Sequence, residues 1–390
     1  EVTGVQTCAL PILMQYCQLP ADYLPSPEST LITGITPQWC NERGVAEPQF
    51  AQAILRELSA PETIGVGYNT IRFDDEVTRF MLWRNLFPPY KREFENGCSR
   101  WDLIDVVRCA YALRPEGIVW PTDAQTGKVS MRLEHLTAAN GLAHEAAHDA
   151  LSDVRATIAF ARLLKKTQPR LFEFALKMRH KKAVQEEIGW PFDTKKSPKP
   201  FLHISGMFGV ERRYLAVVYP LVPHPTNKNE LIIWDLAADP AQLVGLTVAQ
   251  IRERMFTAAA ELGERGMTRL SIKTIHINKS PIVIAQLKTL NDAQSAACGV
   301  DWNLVEQHES NAVTHFATLQ KIDWAAVFER EYDDSGRSAD EMLYGGSFVP
   351  DSDYRVAEQA LDAQRQPNGK QPNFKDKRLQ ELWWLYRARH

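Results

Sequence analysis

Thr63-Ile64-Gly65-Val66-Gly67-Tyr68 runs, after Asn69 to Arg72, into Phe73-Asp74-Asp75-Glu76. The first stretch is β-branched and Gly-rich and reads as a buried strand. The second opens a helix, with Val77, Phe80, Met81 and Trp83 or Arg84 recurring at helical spacing. Downstream, Trp101 to Leu113 places Leu103, Ile104, Val107 and Tyr111 on one face, with Asp102 as the N-terminal acid and Pro115 as the stop. Arg132 to Ala139 reads as a short helix ended by Asn140-Gly141. His148 to Lys166 reads as a longer one with Leu151, Val154, Ile158 and Leu163 inward. Strands followed by helices make residues up to 168 an α/β region.

Beyond Lys195 to Pro200, which reads as a linker, the texture changes. His203–Val210, Arg213–Tyr219, Glu230–Leu236 and Leu270–Ile277 are short β-rich runs between Pro, Gly and Asn turns, with one helix inserted near Val248 to Leu262. After Asp323 helical periodicity returns in Trp324–Tyr332, Tyr354–Arg365 and Lys377–Arg389. No repeat of fixed period occurs.

The 390 residues, 44% hydrophobic and 24% charged, exclude disorder and collagen. A net charge of −3 excludes a globally basic nucleic-acid binder. The charge is uneven, however. Arg162 to Lys199 holds eleven Lys or Arg against four Asp or Glu, an excess of seven on a chain whose remainder carries −10. Such a band is either a solvated helix face with a linker or a phosphate-contacting strip. Apolar runs such as Leu215–Val218 and Cys8–Met14 fall far short of a bilayer span, and no Lys or Arg precedes Arg43 to make a signal peptide. The six cysteines (8, 17, 40, 98, 109 and 298) include no CxxC pair, which fits a reducing cytoplasm.

Two chemical patterns share His148. His144-Glu145-Ala146-Ala147-His148 matches the zinc-protease letters HExxH, but Asn140-Gly141 breaks the helix upstream. Leu151 and Val154 stand where an extended motif has Gly and a third His. His148 to Asp153 is also HxxxxD entering a helix: a neutral His can take a proton from attacking water while the Asp holds a divalent ion. Asp74, at a strand-to-helix junction, is a second carboxylate for that ion. The plain alternative for Asp74 and Asp75 is helix capping.

Thr33-Gly34-Ile35-Thr36-Pro37, Arg72-Phe73-Asp74-Asp75-Glu76, Ser99-Arg100-Trp101-Asp102, Tyr111 to Gly117, Arg132-Leu133-Glu134-His135-Leu136, His148 to Asp153, His203 to Gly209, His276-Ile277-Asn278-Lys279 and Tyr386-Arg387-Ala388-Arg389 resemble bacterial exonuclease I. The resemblance runs from about Tyr16 to His390. It implies a ribonuclease H-like exonuclease domain at 13–168, an SH3-like β-rich domain at 169–322 and a partial helical domain at 323–390. It also implies a cytoplasmic, monomeric enzyme of DNA repair and recombination that removes nucleotides from the 3′ end of single-stranded DNA as 5′-mononucleotides. Two Mg²⁺ ions serve the site, with Asp74 and Asp153 as metal ligands, His148 as general base and Arg132 as the substrate-binding Arg. By the same resemblance Arg79, Tyr90, Arg108, Lys181, Asn229, Lys273 and Asn278 contact the strand, Arg and Lys on phosphates and Tyr90 on a base. Phe94 reads equally as a stacking aromatic or as core. The implied protein partner is single-stranded DNA-binding protein, through its acidic C-terminal tail; no membrane is involved.

The sequence also departs from the family. The Asp-x-Glu pair of the family's first strand has no counterpart before Tyr16, so the expectation is a nearly inactive polypeptide. Residues 1–12 read as a foreign segment joined to a gene fragment, and the family continues past His390. The alternatives are a zinc metalloprotease using His144, Glu145 and His148, and a non-catalytic single-stranded DNA-binding module.

Overall fold

The computed structural model describes residues 13–142, 150–193, 195–329, 336–364 and 371–390. Among them are two compact units, one of residues 13–100, 150–155 and 336–390, the other of 101–142 and 156–329. Strand β1 (Ile64–Gly67) belongs to the first and pairs with β2 (Ser99–Asp102), whose Ser99 N–H donates to the Thr63 carbonyl at 3.0 Å. Gly67 suits the close approach there, because a Cβ would lie 1.9 Å from Cγ2 of Thr70 and force that side chain to move. The next helix, Asp74–Arg84, begins where the sequence predicts. Its inward face does not: Val77 is 56% exposed, and the buried positions are Asp75, Arg79, Leu82 and Trp83. The predicted apolar stripe fails because paired charges occupy half of the buried side.

Trp83 anchors the first unit's core. It packs with Leu86, Leu343, Ala357, Ala360 and, from helix Lys377–Arg389, Leu379, Leu382, Trp383 and Tyr386. Its indole N–H donates to the Ala339 carbonyl at 2.8 Å, so the one polar atom of this buried ring is satisfied. The helix predicted from Tyr354 starts at Asp351 and is described through Gln364.

In the second unit Asp102 caps helix Leu103–Leu113 by accepting from the Ile104 N–H, as its position suggests. Arg132 is the N-cap of Leu133–Ala139, although its side chain makes no cap bond. Helix Ala150–Thr167, whose residues 150–155 belong to the first unit, buries Ala156, Thr157, Phe160 and Leu164, whereas Val154, expected inward, is 56% exposed. The β-rich region is one antiparallel sheet, in the order β6 (Ile272–His276), β5 (Glu230–Asp235), β4 (Leu215–Pro223), β3 (Phe201–Ile204), β7 (Ile282–Ile284). Strand β7 was not expected; three residues carry too little pattern.

Alternate residues face opposite sides of a strand. Ala216, Val218, Leu231, Ile233, Ile275 and Val283 join Met178, Val184 and Ile188 in a single core. Val217, Tyr219, Ile232 and Trp234 are equally buried on the other face. Two covered faces explain why the strands read as unbroken apolar runs. Pro220, which cannot donate to the ladder, sits at a register shift between β4 and β5. Helix Trp302–Thr314, missed between the β runs and Asp323, buries only Val305, His308 and Ala312. His308 hides the stripe while its Nδ1 lies 2.7 Å from the Leu236 carbonyl.

Candidate active site

Strand β1 delivers the chain through a short turn, with Asn69 in the left-handed region at φ 65°, to three consecutive acids in the first turn of helix Asp74–Arg84. Negative charge there suits the positive end of the helix dipole. Successive residues project about 100° apart around a helix, so the three acids meet three environments.

Asp75 is 8% exposed and accepts from Arg92 Nη2 at 2.8 Å and Arg100 Nη1 at 2.9 Å. It is therefore not the capping residue that a first-turn acid suggests. Glu93 accepts from Arg79 Nε at 2.7 Å and Nη2 at 2.9 Å, and pairs with Arg100 Nη2 at 3.1 Å. Glu76 accepts from Arg79 Nη1 at 2.5 Å and from the Tyr344 hydroxyl. Three carboxylates thus meet three guanidinium groups in a neutral, mostly buried network, the arrangement in which charge-assisted bonds are strongest and in which loss of one partner is most damaging.

Asp74 takes no part in these bonds. It forms no ion pair among the described residues, and its surroundings disfavour the charged form: crowding by protein atoms first, then the negative charges of Asp75 and Asp153, hold its carboxyl above the ordinary carboxylate value. Asp153, in the first turn of helix Ala150–Thr167, is half-buried. Two carboxylates that repel one another, with no ion pair to Asp74 among the described residues, fit a hard divalent cation, since Mg²⁺ uses one or two protein carboxylates and completes its shell with water and substrate oxygens. Among the described residues no group of three or more His, Cys, Asp or Glu forms a closed metal cage. His144, Glu145 and His148 lie outside the described residues.

The residues expected to contact a strand have different placements. Arg79 is 5% exposed, and its guanidinium is taken up by Glu93, Glu76 and the Tyr344 hydroxyl, so in this structure it is a structural cation and not a surface phosphate contact. Its guanidinium also lies 5.4 Å from the ring centre of Tyr90, which packs edge-on against Phe348 at 5.6 Å. Burial pushes the Tyr90 hydroxyl up to about 12, so it stays protonated. Phe94 is 65% exposed, which rules out the core reading of that ring.

In the second unit, Arg132 is exposed and Arg108 is largely covered. Arg108 donates to Asp105 at 2.7 Å, stacks 5.1 Å from the Tyr214 ring centre, and lies so close to Gly206 that a Cβ there would touch the guanidinium at 3.0 Å. Its Nε is buried with no hydrogen-bond partner among the described residues. Lys181 Nζ donates to Asn229 Oδ1 at 2.6 Å, and the Ile277 N–H donates to the Asn229 carbonyl at 2.9 Å, which brings Lys181, Asn229 and exposed Asn278 to one end of the sheet. Lys273, opposite Ile233 in β6, is half-buried. Burial first and the cations Arg269 and Arg212 next hold its ammonium below the ordinary lysine value.

Arg92, Glu93, Arg100 and Tyr344 were not singled out as site residues from the sequence. Arg100 stands in the quoted Ser-Arg-Trp-Asp motif, but nothing in that spacing links it to Asp75, 25 residues away.

Three family descriptions match the chain: Exonuclease over residues 5–161, Exonuclease I SH3-like domain over 179–330, and Exonuclease I C-terminal domain over 337–390. The first match begins inside the segment 1–12 that reads as foreign. Exodeoxyribonuclease I of Haemophilus influenzae is 43% identical over 381 residues, covering 97% of this chain and 78% of that protein. The crystal structure of Escherichia coli exonuclease I in complex with a dA16 oligonucleotide superposes with a TM-score of 0.90 at 40% identity, covering 99% of this chain and 80% of that one. A complex of ExoI with SSB-Ct superposes at 0.85 and 39% identity, over 96% and 77% of the two chains.

Proposed function

The chain belongs to the exonuclease I family and is a hydrolase acting on DNA, and we propose that it removes nucleotides from the 3′ end of single-stranded DNA, releasing 5′-mononucleotides. The observation that carries this reading is the exonuclease match over residues 5–161, inside which Asp74 stands at a strand-to-helix junction and Asp153 is the acid of HxxxxD. The family is divalent-metal dependent; that the ion is Mg²⁺, and that two serve the complete site, is part of the proposal. A bound divalent ion supplies Lewis-acid polarisation of the scissile phosphate. Asp74 and Asp153 hold it, and His148 takes the proton of the attacking water.

Substrate contacts divide between the units. Tyr90 offers a ring on the first. On the second, Arg132, Arg108, Lys273, Asn278 and the bonded pair Lys181–Asn229 face phosphates and bases. Arg79 is removed from that set. The solved relatives bind a dA16 oligonucleotide and SSB-Ct, and these are the partners proposed here: single-stranded DNA, and the acidic C-terminal tail of single-stranded DNA-binding protein. The exonuclease, SH3-like and helical domains at 13–168, 169–322 and 323–390, the cytoplasmic setting, the monomeric state and the role in repair and recombination belong to the same proposal. No helix among the described residues is long and apolar enough to cross a membrane. The metalloprotease reading falls, because the HExxH letters lie inside the exonuclease match.

The test is digestion of 3′-labelled single-stranded DNA with Mg²⁺ by a version carrying an Asp-x-Glu strand ahead of Tyr16, with and without Asp74→Asn. Mononucleotide release without the substitution and none with it is the expected result. Degradation of duplex only, or of casein with zinc, overturns the reading.

A further inference from the structure

We propose that Tyr344 is a positioning residue for Asp74, acting through Glu76, so that the C-terminal segment sets the geometry of the divalent-ion site. The inference rests on the metal-ligand role of Asp74 proposed above. The first turn of helix Asp74–Arg84 is gripped from two sides. On the inner side Asp75 is held by Arg92 and Arg100. On the outer side Glu76 is held by Arg79 and by the hydroxyl of Tyr344. With neighbours on both sides fixed, rotation of the turn about the helix axis is blocked, and Asp74 is the first-turn acid left without a basic partner among the described residues.

Tyr344 is itself firmly presented. It ends the short helical segment Ala339–Tyr344, and its ring packs edge-on against Phe80 of the same Asp74–Arg84 helix at 5.6 Å. The loop that follows is pinned by Arg378, which donates to the carbonyls of Met342 at 3.1 Å, Gly345 at 2.6 Å and Ser347 at 2.6 Å. Arg378 is held in turn by Asp376 at 2.6 Å and lies 5.3 Å from the ring centre of Trp83. One guanidinium therefore links the core tryptophan, the C-terminal helix and the loop that follows Tyr344. Burial and the neighbouring Glu76 keep the Tyr344 phenol protonated far above neutral pH, so it remains a donor.

Partners that orient metal ligands typically cost about 10- to 100-fold in metal affinity when removed. The experiment is Mn²⁺ binding, followed by electron paramagnetic resonance of the free ion, for the unmodified protein and for Tyr344→Phe, Glu76→Gln and Asp74→Asn, with melting curves to confirm folding. Tyr344→Phe is expected to weaken Mn²⁺ about 10-fold. Glu76→Gln, which keeps an oxygen for the Tyr344 hydroxyl, is expected to lose less, and Asp74→Asn to lose the most. Unchanged affinity in Tyr344→Phe beside a loss in Asp74→Asn overturns the positioning role. Unchanged affinity in Asp74→Asn overturns the metal-ligand reading on which it rests.

Discussion

The first turn of helix Asp74–Arg84 and the interior of the five-stranded sheet are both buried, but they are held by opposite means. The sheet is apolar on both faces: Ile232, Ile233 and Trp234 of β5 are fully covered, and their contribution scales with area and has no preferred direction. The turn is held by Asp75, Glu93, Arg79, Arg92 and Arg100, whose contribution depends on each partner being at the right distance and angle. A directionless core tolerates small changes and settles around them. A charged core does not, and that intolerance is what the proposed metal-binding role of Asp74, one residue away, would require.

The comparison can be broken at its charged end first. Asp75→Ala leaves Arg92 and Arg100 with Glu93 as their shared carboxylate in a buried setting. It is expected to cost about 3–5 kcal/mol in urea or thermal unfolding, the range for removing one partner of a buried ion pair. A loss under about 1 kcal/mol would show that water reaches the network and that the contrast is overdrawn. At the apolar end Ile233→Val removes one methylene from a fully buried site and is expected to cost about 1 kcal/mol, with the ladder intact by circular dichroism.

A smaller effect sharpens the sheet side. His203 in β3 is buried, with its Nδ1 3.0 Å from the Ile282 carbonyl. Burial lowers its pKa, offset in part by that carbonyl and by Asp105. The folded protein therefore binds fewer protons than the unfolded chain once the pH drops below the ordinary histidine value of 6.5, so this contribution is complete above that pH and is lost on acidification. Melting temperature should fall from pH 7 to pH 5, and His203→Gln should flatten the slope. An unchanged slope would show that the acid sensitivity arises at other groups, among them His276, whose pKa burial also lowers.

The same contrast explains what could be read from sequence. Strands β3 to β6 announce themselves through continuous runs such as Leu215-Ala-Val-Val-Tyr-Pro-Leu-Val-Pro223, because two covered faces leave no polar alternation. Asp102 was legible as a cap because capping acts within a few residues. The network around Asp75 was not. Its partners stand 17 and 25 residues from Asp75, Tyr344 stands 268 residues from Glu76, and local periodicity carries no trace of pairs that close only in the fold. It even misled, since a helix with Asp75 and Arg79 inward shows its apolar Val77 to solvent. Asp74 and Asp153 emerged from motif resemblance, and their mutual repulsion became visible only with coordinates. The segment with His148 lies outside the described residues.

The neutrality of the charge network has a consequence for how the enzyme meets salt. Counter-ions screen exposed charges within about 10 Å at 0.1 M but reach a mostly buried set of three carboxylates and three guanidinium groups far less. Strand binding through Lys and Arg on the surface weakens steeply as ionic strength rises. Titration with KCl should therefore raise KM for single-stranded DNA while leaving kcat nearly constant, so that high salt empties the enzyme of substrate without deforming the turn that carries Asp74.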